Sequence, residues 1–524
     1  MSRGGDRYDE ECCAEHDGTI KSFERLTFKL DKLEDYKDLF KPNAKNVVRA
    51  GKISAGILGG AAIIGPAAEN GVRFSGVFSN LMRAAARTGM GSVMASKNVK
   101  ALAIRGSGYI NIAKPRMFEE LVEDIENQII VHEQYPGRRK MGTTRILLMA
   151  NKAGFLPTRH YTSGTFEHAD EVSGERLAKE FNVKSRGCFA CTIPCSRIYT
   201  IKKGPYKGLH GEGPEYESLG SFTSRIGNPN LELALKANDL CNQLGLDILS
   251  TTGAIGWAME LYENKLISIE ETGGLELNWG NPESIIELIY QIANREGFGA
   301  ILAEGSKKAA EKLGKGLEYT VQVKGMDLIM ADPRGLKGFG LGYAVASRGG
   351  DHLRSEPFIE LSDDPEIGKR MFGESGATMR MADTGKGKLI HYFEDWCAVI
   401  DSLEPCKNIM QNMMLLEFPR AAYAYSVTTG IKITSDEIKQ AGERIVNIER
   451  MFGVREGITR KDDTLPRRFI DTPLIKGNSS GTVLNLEKML DEYYSSRGWN
   501  QSTGQPSSEI LKKLSLGFTI SHIQ

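Results

Sequence analysis

Cys188, Cys191 and Cys195 form a C-x2-C-x3-C run within Gly-Cys-Phe-Ala-Cys-Thr-Ile-Pro-Cys, residues 187–195. Three thiolates this close can wrap one face of a metal centre, and a distant fourth would close it. Cuboidal iron–sulfur clusters are typically held by four cysteines, so the run points to electron handling. A structural zinc site is the bland alternative. Zinc ribbons usually pair C-x2-C with a second C-x2-C. Here the spacing is asymmetric, and the isolated downstream candidates are Cys241, Cys397 and Cys406. Cys12 and Cys13 are adjacent in a polar stretch and are expected to have no role.

Four further runs carry residues that could do chemistry. Gly-Glu-Gly-Pro-Glu-Tyr-Glu-Ser spans 211–218 and contains Glu215 and Glu217. Asn-Asp-Leu-Cys-Asn-Gln-Leu-Gly-Leu-Asp-Ile-Leu-Ser spans 238–250. A glycine-rich stretch over 332–343 leads into Arg-Gly-Gly-Asp-His-Leu-Arg at 348–354, which holds His352. Asp-Ser-Leu-Glu-Pro-Cys spans 401–406. Singly each is weak, because a glycine loop is usually a turn and a lone histidine is usually structural.

These residues need a large scaffold. At 524 residues the chain is too long for one core, and two or three domains are expected. Lys+Arg and Asp+Glu are both 67, so no global field recruits nucleic acid or an anionic membrane. No apolar stretch reaches the ~18 residues of a spanning helix, and the first residues hold no apolar signal core. A cytoplasmic protein is expected. Glycine, 58 of 524 residues, exceeds ordinary usage and suits backbone packed against a large ligand.

The pattern predicts an α+β chain: a small, truncated β-rich N-terminal domain followed by two mainly helical domains. Residues 1–45 read as a leader with a weak helix over 22–40. Residues 46–112 read as a β-rich remnant with one helical segment over 78–87 and glycine turns at 59–60, 89–91 and 106–108. Residues 113–321 form the helical domain with the cysteine run, and 322–524 the one with His352 and Cys406. Apolar periodicity predicts helices over 118–133 (Leu121, Ile125, Ile129, Ile130), 229–244, 252–262, 282–294, 300–313, 435–452 and 483–497. Gly297, Gly299 and Gly314 are plausible helix stops. Residues 335–350 read as a glycine-rich loop. Residues 138–159 and 356–388 cannot be placed by periodicity.

Together and in this order, the runs resemble the aldehyde:ferredoxin oxidoreductase family of tungsten enzymes. The resemblance extends from about Ile64 to Leu516. It includes Ile-Gly-Pro-Ala-Ala-Glu-Asn at 64–70, Arg-Ala-Ala-Ala-Arg-Thr-Gly-Met-Gly-Ser-Val-Met-Ala-Ser-Lys-Asn at 83–98, and Leu-Glu-Lys-Met-Leu-Asp-Glu-Tyr-Tyr at 486–494. The resemblance implies one tungsten, or molybdenum, held by two pterins beside one [4Fe–4S] cluster. It implies oxidation of aldehydes to carboxylates, electron transfer to ferredoxin and an anaerobic setting. The cluster ligands would be Cys188, Cys191, Cys195 and Cys406. The pterin loops would contribute Asn242, Gly245, Leu246 and Asp247 on one side and Asp401, Leu403, Glu404 and Pro405 on the other, with Arg87 near the cofactor. His352, and Glu215 or Glu217, would handle protons. A buried carboxylate or imidazole tuned toward ~7 suits that task.

Three departures from the family pattern stand out. The first hundred or so residues of the family's pterin base are not found, so the chain reads as N-terminally shortened or completed by another subunit. Glu404 and Pro405 stand where the family has glycine and usually leucine. Asn242 replaces an aspartate. No Glu-x-x-His occurs, so no interface iron is expected. Two alternatives follow: an aromatic acyl-CoA reductase-type subunit of a larger complex, and a cluster-binding pseudo-enzyme without tungsten. A homodimer or a further subunit is the expected assembly.

Overall fold

The structure, a computed structural model, describes residues 60–79, 83–104, 109–188 and 190–522. The expected leader and its helix, Cys12, Cys13, residues 46–59 and the turn at 106–108 lie outside the described residues. The described chain is mainly helical with small antiparallel sheets.

Four strands open it: β1 (Gly60–Ile64), β2 (Val77–Ser79), β3 (Arg83–Ala85) and β4 (Ala101–Ile104), in the order β3-β2-β1-β4. Among the described residues of 78–87 the predicted helix is replaced by strand at 78–79 and 83–85, in β2 and β3, paired Val77 to Ala85 and Phe78 to Ala84. The alanines that suggested a helix serve close approach instead. A Cβ at Gly76 would fall 2.6 Å from the Cα of Ala86, so only small residues fit there. Sheet pairing overrides local helix propensity.

Helices follow. Pro115–Val131 buries Leu121, Ile125 and Ile129, one per turn, while Ile130 faces out. Pro282–Asn294 starts where an Asn281 side chain accepts from Ser284 N and proline takes the first helical position. Leu231–Leu244 and Ile248–Glu263 are joined by Gly245. The single helix expected over 300–313 is two, Gly299–Leu302 and Ser306–Leu313, broken at Gly305 with φ 81°.

The glycine-rich stretch predicted as a loop over 335–350 contains a helix, Lys337–Val345. Its glycines are contact points. A Cβ at Gly338 would meet the Glu360 carboxylate at 2.8 Å, at Gly340 the Leu484 side chain at 2.3 Å, and at Gly342 Ser355 Oγ at 2.6 Å. Glu360 accepts from Gly338 N (2.9 Å) and Phe339 N (3.2 Å), closing this helix's N-terminus.

Lys386–Leu403 is a central helix that ends at the fourth cysteine. Gly387 lets it approach Leu486–Arg497, and Gly442 lets Ser435–Arg455 approach it; a Cβ at either would lie within 2.4 Å of backbone. Arg497 fixes it from within, donating to Asp395 Oδ1 (2.6 Å) and Glu394 Oε2 (2.7 Å). One apolar core gathers Leu121, Ile125, Ile193, Trp396, Ile400 and Ile409. Ile193 lies between two cysteines of the run and Ile409 follows Cys406. Burying both therefore brings the two cysteine segments together.

Candidate functional site

Strands β5 (Asn182–Arg186) and β6 (Ser196–Thr200) form an antiparallel pair whose connection carries the first three cysteines, and β7 (His210–Glu212) adds to β6. Cys191 N donates to Cys188 O (3.1 Å) and Cys195 N to Ile193 O (2.8 Å), which coils the connection. Cys406 comes from the other side, at the N-cap of the short Lys407–Met410 helix. Backbone N–H groups of Asn408 and Ile409 face its sulfur. Cys188 and Cys406 are exposed, Cys191 and Cys195 half-buried.

The four thiols lie within one another's fields. Burial pushes the Cys195 thiol up to about 12, and Glu215, Cys406, Cys191 and Cys188 add to the rise. Although part of Cys406 is exposed, the protein packed around its sulfur raises it likewise, against the backbone N–H groups of Ile409 and Asn408 and with Cys191 and Cys188 contributing. Four such thiolates repel one another and need a cationic centre between them. Among the described residues no three His, Cys, Asp or Glu side chains close on a point for a single metal ion. The donor set fits a cuboidal cluster, which takes four cysteines. Cations surround it. Arg197 donates to Cys195 O and Pro214 O, both at 2.5 Å, and the field of Cys406 and Cys195 reaches Arg138.

The two candidate glutamates go to different places. Tyr216–Phe222 is a short helix with Glu215 at its N-cap and Glu217 in its first turn. Glu215 accepts from Thr143 Oγ1 and belongs to the cysteine side. Glu217 turns to the histidine side. Its Oε2 accepts from Met330 N at 2.8 Å. Although a sliver of its surface is accessible, burial pushes its carboxyl up, against the pull of His352, Arg87 and Arg225.

His352 stacks on Phe339, with ring centroids 6.4 Å apart. Its Nδ1 lies 3.5 Å from Asp351 Oδ1 and its Nε2 lies 3.6 Å from Glu356 Oε1. Burial lowers this imidazolium, but Asp351, Glu217 and Glu356 outweigh it and the histidine is raised overall. Asp351, gripped by Arg348, is held well below the usual carboxylate range despite its burial. Arg87 joins from beside the first sheet. It donates to Asp327 O and, at 3.3 Å, to Gly350 O. Arg87 Nη1, His352 Nδ1 and Glu356 Oε2 are buried polar atoms without a hydrogen-bond partner. Such groups are normally satisfied, so three among the residues around His352 suit a place built for a polar ligand.

The two presumptive cofactor loops are different in kind. Asn242 is buried in the last turn of Leu231–Leu244. Gly245 has φ 83°, and a Cβ there would fall 2.9 Å from Gly65. Leu246 is buried and bridges to Ser75. Asp247 accepts from Leu249 N, Ser250 N and Ser250 Oγ (3.3, 3.1 and 2.6 Å), capping the next helix. Asp401 pairs with Lys407 (2.8 Å) and Arg354 (3.3 Å). Leu403 packs on the core beside Cys191 and Cys195. Glu404 caps Lys386–Leu403 in the left-handed region, φ 59°, where glycine is at ease. Pro405 links it to Cys406.

The family model described as aldehyde ferredoxin oxidoreductase, domains 2 and 3, matches residues 120–516. The chain belongs to the aldehyde ferredoxin oxidoreductase family. It is an oxidoreductase of that family. The family's N-terminal domain matches residues 31–106, reaching back into the stretch expected as a leader. The tungsten-containing aldehyde ferredoxin oxidoreductase of Pyrococcus horikoshii is 38% identical over 468 residues, 87% of this chain and 73% of the relative. The enzyme of the same description from Pyrococcus furiosus is 36% identical over 469 residues, again 87% and 73%. The WOR-like subunit of an aliphatic sulfonate oxidoreductase from Pyrococcus furiosus is 28% identical, covering 87% of this chain and 70% of the relative. The solved active-site complex BamBC of benzoyl coenzyme A reductase with 1,5-dienoyl-CoA superposes with TM-score 0.71 at 20% identity, covering 88% of this chain and 74% of that chain. That likeness shows a shared fold.

Family motifs do not account for Arg138 and Glu356. They are the first residues of the two stretches that periodicity left unplaced. The signal for Glu356 is its spacing, four residues after His352. Arg138 carries no local signal, since its role depends on Asn408, far along the chain. No helix among the described residues is long and apolar enough to cross a membrane.

Proposed function

We propose that this chain oxidises aldehydes to carboxylic acids at a tungsten, or molybdenum, bis-pterin centre and passes electrons through a [4Fe–4S] cluster to ferredoxin. What supports this reading is that Glu217 and His352 lie within each other's fields, in a chain that also carries the four cysteines and is 38% identical to a tungsten-containing aldehyde ferredoxin oxidoreductase. Cys188, Cys191, Cys195 and Cys406 hold the cluster, and Arg87, Asn242 and the 242–247 loop lie against the pterins. The bound metal supplies the two-electron acceptor.

The residues of this chain manage water and protons. An aldehyde and one water become a carboxylic acid, two electrons and two protons. Glu217 is fixed by Met330 N, and its raised carboxyl takes a proton from the attacking water near neutral pH. His352, oriented by Asp351 and Glu356 and stacked on Phe339, favours its protonated form and donates a hydrogen bond to the aldehyde oxygen, while the proton released at the aldehyde carbon leaves to solvent. General acid–base steps of this kind contribute about 10²–10⁴-fold. The test is viologen reduction with a panel of aldehydes by anaerobically purified protein, comparing wild type, Glu217→Gln and His352→Phe. Aldehyde-dependent reduction that both variants lose supports the reading; none in a tungsten-loaded wild type sinks it.

A second reading, a cluster protein without tungsten, has its own support. The carboxylates of Asp247 and Asp401 are engaged by the protein itself, and Glu404-Pro405 replaces the family's glycine. Iron without tungsten or molybdenum would favour it.

A further inference from the structure

We propose that Arg138 is the charge that sets the redox potential of the cluster held by Cys188, Cys191, Cys195 and Cys406. This rests on the cluster part of the reading above. Arg138 lies in the Tyr135–Met141 helix and is 5% exposed. Its guanidinium is fixed on three sides. Nε and Nη2 donate to Gln134 Oε1 (3.1 and 2.8 Å), and Nη1 donates to Asn408 Oδ1. Both acceptors are neutral amides. Among the described residues no ion pair to a carboxylate is formed by Arg138, whereas Arg497, Arg450 and Arg334, three of the six buried arginines, each have one. A buried cation held only by amides is costly unless an anion answers it. The anions whose fields reach Arg138 are Cys406 and Cys195, one from each half of the cage, followed by Glu356.

The neighbouring cations differ. Arg197 is spent on the carbonyls of Cys195 and Pro214, and Glu215 answers its charge first, followed by Cys195 and Glu212. Arg145 turns its Nη2 to Gln134 Oε1 and feels no cysteine above its burial. Of the three, Arg138 is the one that is buried, rigidly held and reached by cysteines from both halves of the set, Cys406 and Cys195. Reduction adds one electron to the cluster. A fixed, poorly solvated cation nearby favours the more negative state and raises the potential. Glu356, whose field also reaches Arg138, faces His352 Nε2. The same charge is therefore felt by residues of both the electron-carrying and the proton-handling groups.

The experiment is an EPR-monitored redox titration of the anaerobically purified holoenzyme, with iron counted per chain. Arg138→Gln is expected to lower the reduced-to-oxidised ratio at fixed potential at least tenfold, a fall of about 59 mV for one electron. Arg138→Lys should restore most of it, because the charge returns without the fork. Gln134→Glu, which keeps Arg138 but answers its charge, should shift the potential in the same direction. Asn408→Ala, which removes a hydrogen bond and no charge, should leave it in place. Should Arg138→Gln fail to hold the cluster, Gln134→Glu and Arg138→Lys decide the matter. A full cluster whose ratio moves less than twofold in Arg138→Gln or Gln134→Glu overturns this inference alone. A wild type with no cluster signal overturns it together with the reading on which it rests.

Discussion

The cysteine cage and the cofactor loops are built from the same kinds of residue and are used in opposite ways. In the cysteine set, the fields of neighbouring thiols add to burial in raising Cys195 and Cys406, and among the described residues none of the four forms an ion pair. In the loops, the conspicuous carboxylates are already occupied: Asp247 caps a helix and Asp401 sits between Lys407 and Arg354. The lesson is that a motif residue is free for a ligand only when the fold has not already used it. Glu217, His352 and Arg87 resemble the cage, since buried atoms among them remain unanswered.

The most disruptive way to break this comparison is to empty the cage. Cys406→Ala should abolish the cluster, seen as loss of iron and of visible absorption, while Cys241→Ala, in a different core, should keep both. Next is the split between the two glutamates. Glu217→Gln should lower kcat/KM for aldehydes by about 10²–10⁴-fold, whereas Glu215→Gln, on the cysteine side, should act mainly on the cluster potential. The pH profile sharpens this split. Because Glu217 is raised and works deprotonated, the acid limb of kcat/KM should lie above 4.5, the ordinary glutamate value, and vanish in Glu217→Gln.

The loop side should answer in stability instead. Asp247→Ala removes a cap that serves two backbone N–H groups of Ile248–Glu263, and should cost about 1 kcal/mol in denaturant unfolding. The smallest effect is expected at Glu404→Gly. Releasing a left-handed residue at φ 59° should stabilise the chain by about 1 kcal/mol at most. If that position also limits pterin binding, tungsten content should rise with it.

What could be read from sequence divides along similar lines. The cysteine run stood out by its spacing and the helix at 282–294 by an N-cap and a first-turn proline, which are local signals, whereas His352 was singled out only by the family resemblance. The helix at Lys337–Val345 was not, because glycine is used both to turn a chain and to let helices touch. Only the neighbours Glu360, Leu484 and Ser355 show which use applies. The strands at 77–85 were hidden by alanines that favour a helix locally but serve a close approach at Gly76. The departure at Glu404 was legible as a missing glycine, and the structure shows the left-handed backbone that glycine would have eased. Arg138 could not be read, because its partners Gln134, Asn408, Cys195 and Cys406 converge only in the folded chain.

The most direct test of the account is metal analysis of the anaerobically purified protein, with iron, tungsten, molybdenum and zinc counted per chain. The account predicts about four irons and one tungsten or molybdenum. Zinc alone, or no iron at all, would contradict the cage as described. Iron without tungsten or molybdenum would leave the cage standing and contradict aldehyde oxidation as the function.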